Sequence, residues 1–112
     1  MASSRIIVNE GQGPRPVDLS VPRLIVGGSP DCDVRLRDAA AAGIEFVIEA
    51  ATAGHHPDGH RVVRLLGELF LNEEPCDVAQ LHHNDTLRAG ASLVLYKNPA
   101  ARRAVPAAGL QA

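Results

Sequence analysis

The chain has 112 residues, 46% of them hydrophobic and 21% charged, which is the composition of one globular domain. Eleven Lys and Arg against thirteen Asp and Glu leave a formal charge of −2, which falls to −4 without Arg102 and Arg103 near the C-terminus. That balance excludes the basic stripe carried by readers of nucleic acid or anionic lipid, and three aromatics (Phe46, Phe70, Tyr96) are too few for a base-stacking platform.

Short apolar runs between glycine and proline clusters predict strands in succession. Arg5–Val8 is a β-branched run, stopped by the turn residues Gly11-Gln12-Gly13-Pro14. Val17–Leu19 is a short strand candidate, and Arg23-Leu24-Ile25-Val26 ends at Gly27-Gly28-Ser29-Pro30. Asp33–Arg37 alternates strictly, with Val34 and Leu36 on one face, the period of a half-buried strand. Ala39–Ala42 is too short to nucleate a helix and is expected as a loop. Ile44–Glu49 alternates again, with Ile44, Phe46 and Ile48 inward. Thr52–His60 is a polar hairpin loop, after which Arg61–Leu66 and Leu69–Leu71 return as strands and Asn72-Glu73-Glu74-Pro75 closes them. Asp77–Leu81, Thr86–Ala89 and Ser92–Tyr96 complete the series, with bends at Asn84-Asp85 and Gly90.

About ten short strands with frequent turns predict an all-β sandwich over residues 1–98 and a flexible Ala/Pro-rich tail over 99–112. The expected core is Ile6, Val8, Leu24, Val26, Val34, Leu36, Ile44, Phe46, Ile48, Leu65, Phe70, Leu87, Leu93 and Leu95. Cys32 and Cys76 are far apart and form no CxxC, the usage of a reduced cytoplasmic protein. No apolar run approaches the roughly 20 residues of a membrane span, so neither membrane nor nucleic acid is expected as a partner.

From Arg23 onward the chain resembles a forkhead-associated (FHA) domain. Leu24-Ile25-Val26-Gly27-Gly28-Ser29 followed by Cys32-Asp33-Val34-Arg35-Leu36-Arg37-Asp38 is similar to the family's Ile-Gly-Arg-Ser and Asp-Ile-x-Leu-x-Asp. Leu71-Asn72 is similar to Val-Asn-Gly, and Leu81 to Gly90 to Leu-x-x-Gly-Asp-x-Ile-x-x-Gly. The resemblance covers Arg5 to about Lys97 and implies an eleven-stranded antiparallel sandwich of FHA type. It also implies recognition of phosphothreonine by loops at one end.

Carried over position by position, that machinery is depleted. Gly28 stands where the family has a phosphate-contacting Arg, Ala42 where it has Ser, Gly43 where it has the next Arg, and Glu45 where it has a structural His. Gly67-Glu68-Leu69 stands where it has Asn-Gly-Thr; Ser29 and Asn72 are retained, and Gly27 and Asp85 fall at structural turns. Charge-assisted hydrogen bonds contribute roughly 1.5–3 kcal/mol each, so losing three donors costs about 4–9 kcal/mol, or roughly three to six decades of affinity. The expectation is a non-enzymatic domain that binds a protein or peptide independently of phosphate. Residual phosphopeptide recognition through Ser29, Asn72, backbone amides and a displaced Arg is the alternative, and self-association into a homo-oligomer a third. His55, His56 and His60 in one loop and His82-His83 in another lack the partners of a zinc site, and no nucleophile triad or phosphate loop appears, so no cofactor, metal or catalytic residue is expected.

Overall fold

The computed structural model describes residues 4–50 and 59–101. Its described residues form eleven strands in two packed sheets. The six-stranded sheet has the order β2 (Pro14–Asp18), β1 (Arg5–Asn9), β11 (Ser92–Lys97), β10 (Thr86–Ala89), β7 (Phe70–Leu71), β8 (Glu74–Pro75). The five-stranded sheet has the order β4 (Val34–Arg35), β3 (Arg23–Gly27), β5 (Glu45–Ala50), β6 (His60–Leu66), β9 (Val78–Gln80). Neighbours are antiparallel except β3 and β4, which run parallel with Val26 opposite Val34. The all-β sandwich expected from the sequence is the architecture observed.

Alternation decides which face of each strand meets the other sheet. Leu24 and Val26 of β3 lie opposite Ile48 and Phe46 of β5, and all four are buried. Ile6 and Val8 of β1 lie opposite Tyr96 and Val94 of β11, and these are also buried. Val34, Leu36, Ile44 and Leu87 join them as expected.

Four expected core residues are placed otherwise. Leu93 is exposed and Leu95 only half-buried, because Val94 and Tyr96 take the inward phase of β11. Leu65 is exposed because the β5–β6 pairing shifts register between Glu45 and Phe46, leaving Val62 as the inward apolar residue of β6. Phe70 is half-buried under the Arg88 guanidinium, 4.4 Å from the ring centre, while Leu69 is buried instead. Residues Glu74–Pro75, expected as a closing turn, form the short strand β8. Ala39–Ala41 is a 3₁₀ turn. The expected hairpin loop falls mainly on 51–58, outside the described residues. Pro99–Ala101, assigned to the tail from sequence, make a 3₁₀ turn in which Ala101 is buried and its carbonyl accepts the His83 amide.

A polar chain closes the pole where β1 begins and β11 ends. Asn98 Nδ2 donates to the Tyr96 hydroxyl at 2.8 Å, and that hydroxyl lies 2.7 Å from His60 Nδ1. Tyr96 is wholly buried, and its burial, eased by the Asn98 bond and reinforced by Asp85, pushes the phenol pKa up. Tyr96→Phe removes the hub of this chain and is expected to cost about 1–2 kcal/mol by urea denaturation. An unchanged midpoint would show the hydroxyl to be dispensable.

Candidate functional site

The loops after β3, β4 and β6 meet at the opposite pole from Tyr96. Gly27 closes β3 there, and its carbonyl accepts the Leu36 amide at 2.7 Å. Gly28 donates its amide to the Ile44 carbonyl at 3.1 Å. A β-carbon on Gly28 would collide with the Ala41 carbonyl oxygen and lie 2.6 Å from the Ala42 α-carbon. Gly67 has φ of +73°, and a β-carbon there would lie 2.5 Å from the Gly43 carbonyl. The three loops are thus packed backbone against backbone, a distance that only glycine permits. Gly28, Ser29, Ala42, Gly43, Gly67 and Glu68 are brought to this one end.

Few side-chain donors face outward here. The Ser29 hydroxyl accepts the Asp31 amide at 3.3 Å, a local turn bond. Ala42 and Gly43 are exposed and carry no polar side chain. Glu45 faces Cys32; burial, then this carboxylate, push the Cys32 thiol pKa up, and burial with Asp77 does the same to Cys76. Both cysteines are free and held as thiols.

Asn72 stands apart from the other proposed site residues. It turns β7 into β8 with φ of +51°, donates Nδ2 to Asp85 at 3.0 Å, and accepts the Thr86 amide at 3.0 Å. Asp85, buried, also accepts the His82 amide at 2.8 Å. These bonds lie at the start of β10, whereas Gly90, past its other end, packs on Ala40 beside the loops. Asn72 and Asp85 therefore fasten a turn at the other end of β10.

The arginines of β4, the segment after it and β6, from which a displaced Arg would come, are placed in several ways. Arg64 donates Nε to Asp77 at 2.6 Å and Nη1 to the Gly67 carbonyl at 3.2 Å. Arg61 is paired with Glu49 towards the other pole. Arg35 and Arg37 are exposed at the β4 edge.

One residue that fixes this end has no counterpart in the sequence reading. Glu10 follows β1, and its Oε1 accepts the amides of Arg37 (2.7 Å) and Asp38 (2.9 Å) and the Ser92 hydroxyl (2.9 Å). Its Oε2 pairs with Arg15 at 3.3 Å. Burial alone would raise its pKa, but the two amides, the hydroxyl and the arginine outweigh it and the pKa is lowered. Asp38 extends the clamp by accepting the Ala91 amide at 2.7 Å. Partners 27, 28 and 82 positions away leave no local signal at Glu10.

Among the described residues, no group of three or more His, Cys, Asp or Glu could hold a metal ion, and no helix is long and apolar enough to cross a membrane. His55 and His56 lie outside the described residues.

No protein-family model matches the sequence, and no curated protein does. Solved structures do. The Slr1951 protein from Synechocystis sp. is 19% identical, covering 89% of this chain and 99% of that one, with a TM-score of 0.75. An FHA domain studied for phosphothreonine-dependent interactions is 23% identical over 86% of this chain and 96% of its own, with a TM-score of 0.69. The FhaA FHA domain, complexed with the intracellular domain of Rv3910, is 23% identical over 85% of this chain and 100% of its own, with a TM-score of 0.67. This chain has the fold of the forkhead-associated domains.

Proposed function

We propose that this domain is a non-enzymatic protein-binding module whose recognition does not depend on phosphate. The fold favours binding over catalysis, since the similar domains are described with phosphothreonine-dependent or protein-complexed interactions. The observation that carries phosphate independence is the seat of Gly28. Its α-carbon rests on the Ala41–Ala42 backbone so closely that no side chain fits at the position where an arginine would reach a phosphate. Ala42, Gly43 and Gly67 supply no side-chain donor around it, and Glu68 adds a carboxylate that repels a dianion.

Calorimetric titration with matched threonine and phosphothreonine peptides tests this. Any peptide that binds is expected to do so with less than a threefold change on phosphorylation. Micromolar binding to a phosphothreonine peptide, with its unmodified twin at least a hundredfold weaker, would establish residual phosphopeptide recognition instead.

A further inference from the structure

Among the described residues the two sheets end in four edge strands, and three are protected against pairing. β2 carries Pro14 and Pro16, which lack the N–H an incoming strand requires. β8 ends in Pro75. At β4, the Arg15 guanidinium already occupies the Arg35 carbonyl at 2.9 Å. The fourth edge, β9, reads Val-Ala-Gln, with neither proline nor charge.

The ladder fixes which groups of β9 are open. The Leu81 amide bonds the His60 carbonyl and the Arg64 amide bonds the Asp77 carbonyl, with Ala79 opposite Val62 between them. Antiparallel alternation therefore directs the N–H and C=O of Val78 and Gln80 away from β6. Val78 is itself 61% exposed, and Leu66 and Leu65 at the end of β6 are 56% and 40% exposed. Three of the five large hydrophobic residues exposed among the described residues thus gather on these two strands. Beside them opens a cleft of about 290 Å³, lined by Leu69, Phe70, Pro75 and Cys76, with Glu68 and the Arg64–Asp77 pair also in its lining. The charges beside it are acidic: Glu68 lines it, Glu74 is exposed next to its lining residue Pro75, and Arg64 is already matched by Asp77.

An unpaired edge, an apolar cleft at its end and acidic charges beside that cleft define one occupant. We propose that β9 docks an extended, unmodified segment of another protein. That segment adds as a sixth strand to the five-stranded sheet, seats one apolar side chain in the cleft, and presents Lys or Arg to Glu68 and Glu74. Backbone bonds supply the attachment, the cleft and the carboxylates beside it the selectivity. This rests on the reading of the domain as a protein binder and places the contact on the β9 side of the Gly67–Glu68 loop rather than at Gly28, Ala42 and Gly43.

The test is an NMR titration of the full ¹⁵N-labelled chain with a synthetic peptide, Lys-Lys-Val-Gln-Leu-Gln-Val-Lys-Lys. The controls are its Glu-flanked counterpart, a version N-methylated at alternate amides, and a phosphothreonine peptide. Shifts are expected at Val78, Gln80, Leu69 and Cys76, with at least tenfold weaker binding of the Glu-flanked and N-methylated peptides. Val78→Pro deletes an outward N–H while leaving the β6 ladder intact, and should weaken binding at least tenfold. The double variant E68K/E74K should reverse the preference between Lys and Glu flanks. No shift at β9 up to millimolar peptide, or shifts confined to Ser29, Ala42 and Gly43, would overturn the assignment. Shifts of the β9 amides with protein concentration alone would overturn the stated occupant in favour of a second copy. Phosphate-dependent shifts at the loops would instead sink phosphate independence while leaving the β9 result to stand by itself.

Discussion

Glu10→Ala is expected to lower stability by about 3 kcal/mol, since hydrogen bonds to a charged acceptor contribute roughly 1.5–3 kcal/mol and water replaces only part of what is lost. The variant strips an acceptor from the amides of Arg37 and Asp38 and from the hydroxyl of Ser92, which is wholly buried. One carboxylate joins the turn after β1, the segment after β4 and the start of β11, so its removal should loosen all three together. Amide exchange at Arg37 and Asp38 should rise along with the fall in the denaturation midpoint.

The same residue sets an acid limit. Its pKa in the folded protein lies below the ordinary 4.5. The stabilisation is therefore complete above the unfolded value and is lost as pH falls through 4.5 towards the lowered folded value. Glu10→Gln keeps an acceptor oxygen but cannot titrate. Its stability relative to the parent should improve as pH drops from 6 to 3, and parallel pH profiles would show that Glu10 contributes nothing to acid sensitivity.

Gly28→Arg is expected to destabilise the domain by about 2–4 kcal/mol and to give no phosphopeptide binding. Overpacking usually costs 1–3 kcal/mol, and here the obstacle is backbone, which yields less readily than a side-chain end. Gly28→Ala should already show most of the loss, because the first carbon beyond the α position meets the Ala41 carbonyl. Thermal melts of both variants, with a phosphothreonine-peptide titration of the arginine form, check this. A stable, phosphate-binding arginine variant would show that the loops move apart freely.

Where polar residues marked the outer face, the sequence disclosed the strands. The inward faces of β3 and β5 are readable because Arg23, Glu45 and Glu49 bracket their apolar residues. That of β11 is not, because Leu93 to Tyr96 is apolar throughout and carries no mark of phase. At its start the polar Ser92 points inward to meet Glu10, while Lys97 at its end shares the phase of Leu93 and Leu95. Leu65 falls at a register shift that depends on another strand, and β8 is two residues ending in proline. At the loops, the glycines were visible as losses of side chain. That they serve close packing emerges only in three dimensions, since Gly28 and Ala42 meet across fourteen positions of sequence.

The pairing of β1 with β11 places Arg5 opposite Lys97. The two ends of the sandwich therefore depart side by side, at the pole away from the glycine-packed loops. A host protein could accept this domain as an insert in a surface turn, or a short bridge could join the ends to make new termini elsewhere, without obstructing either the loops or β9.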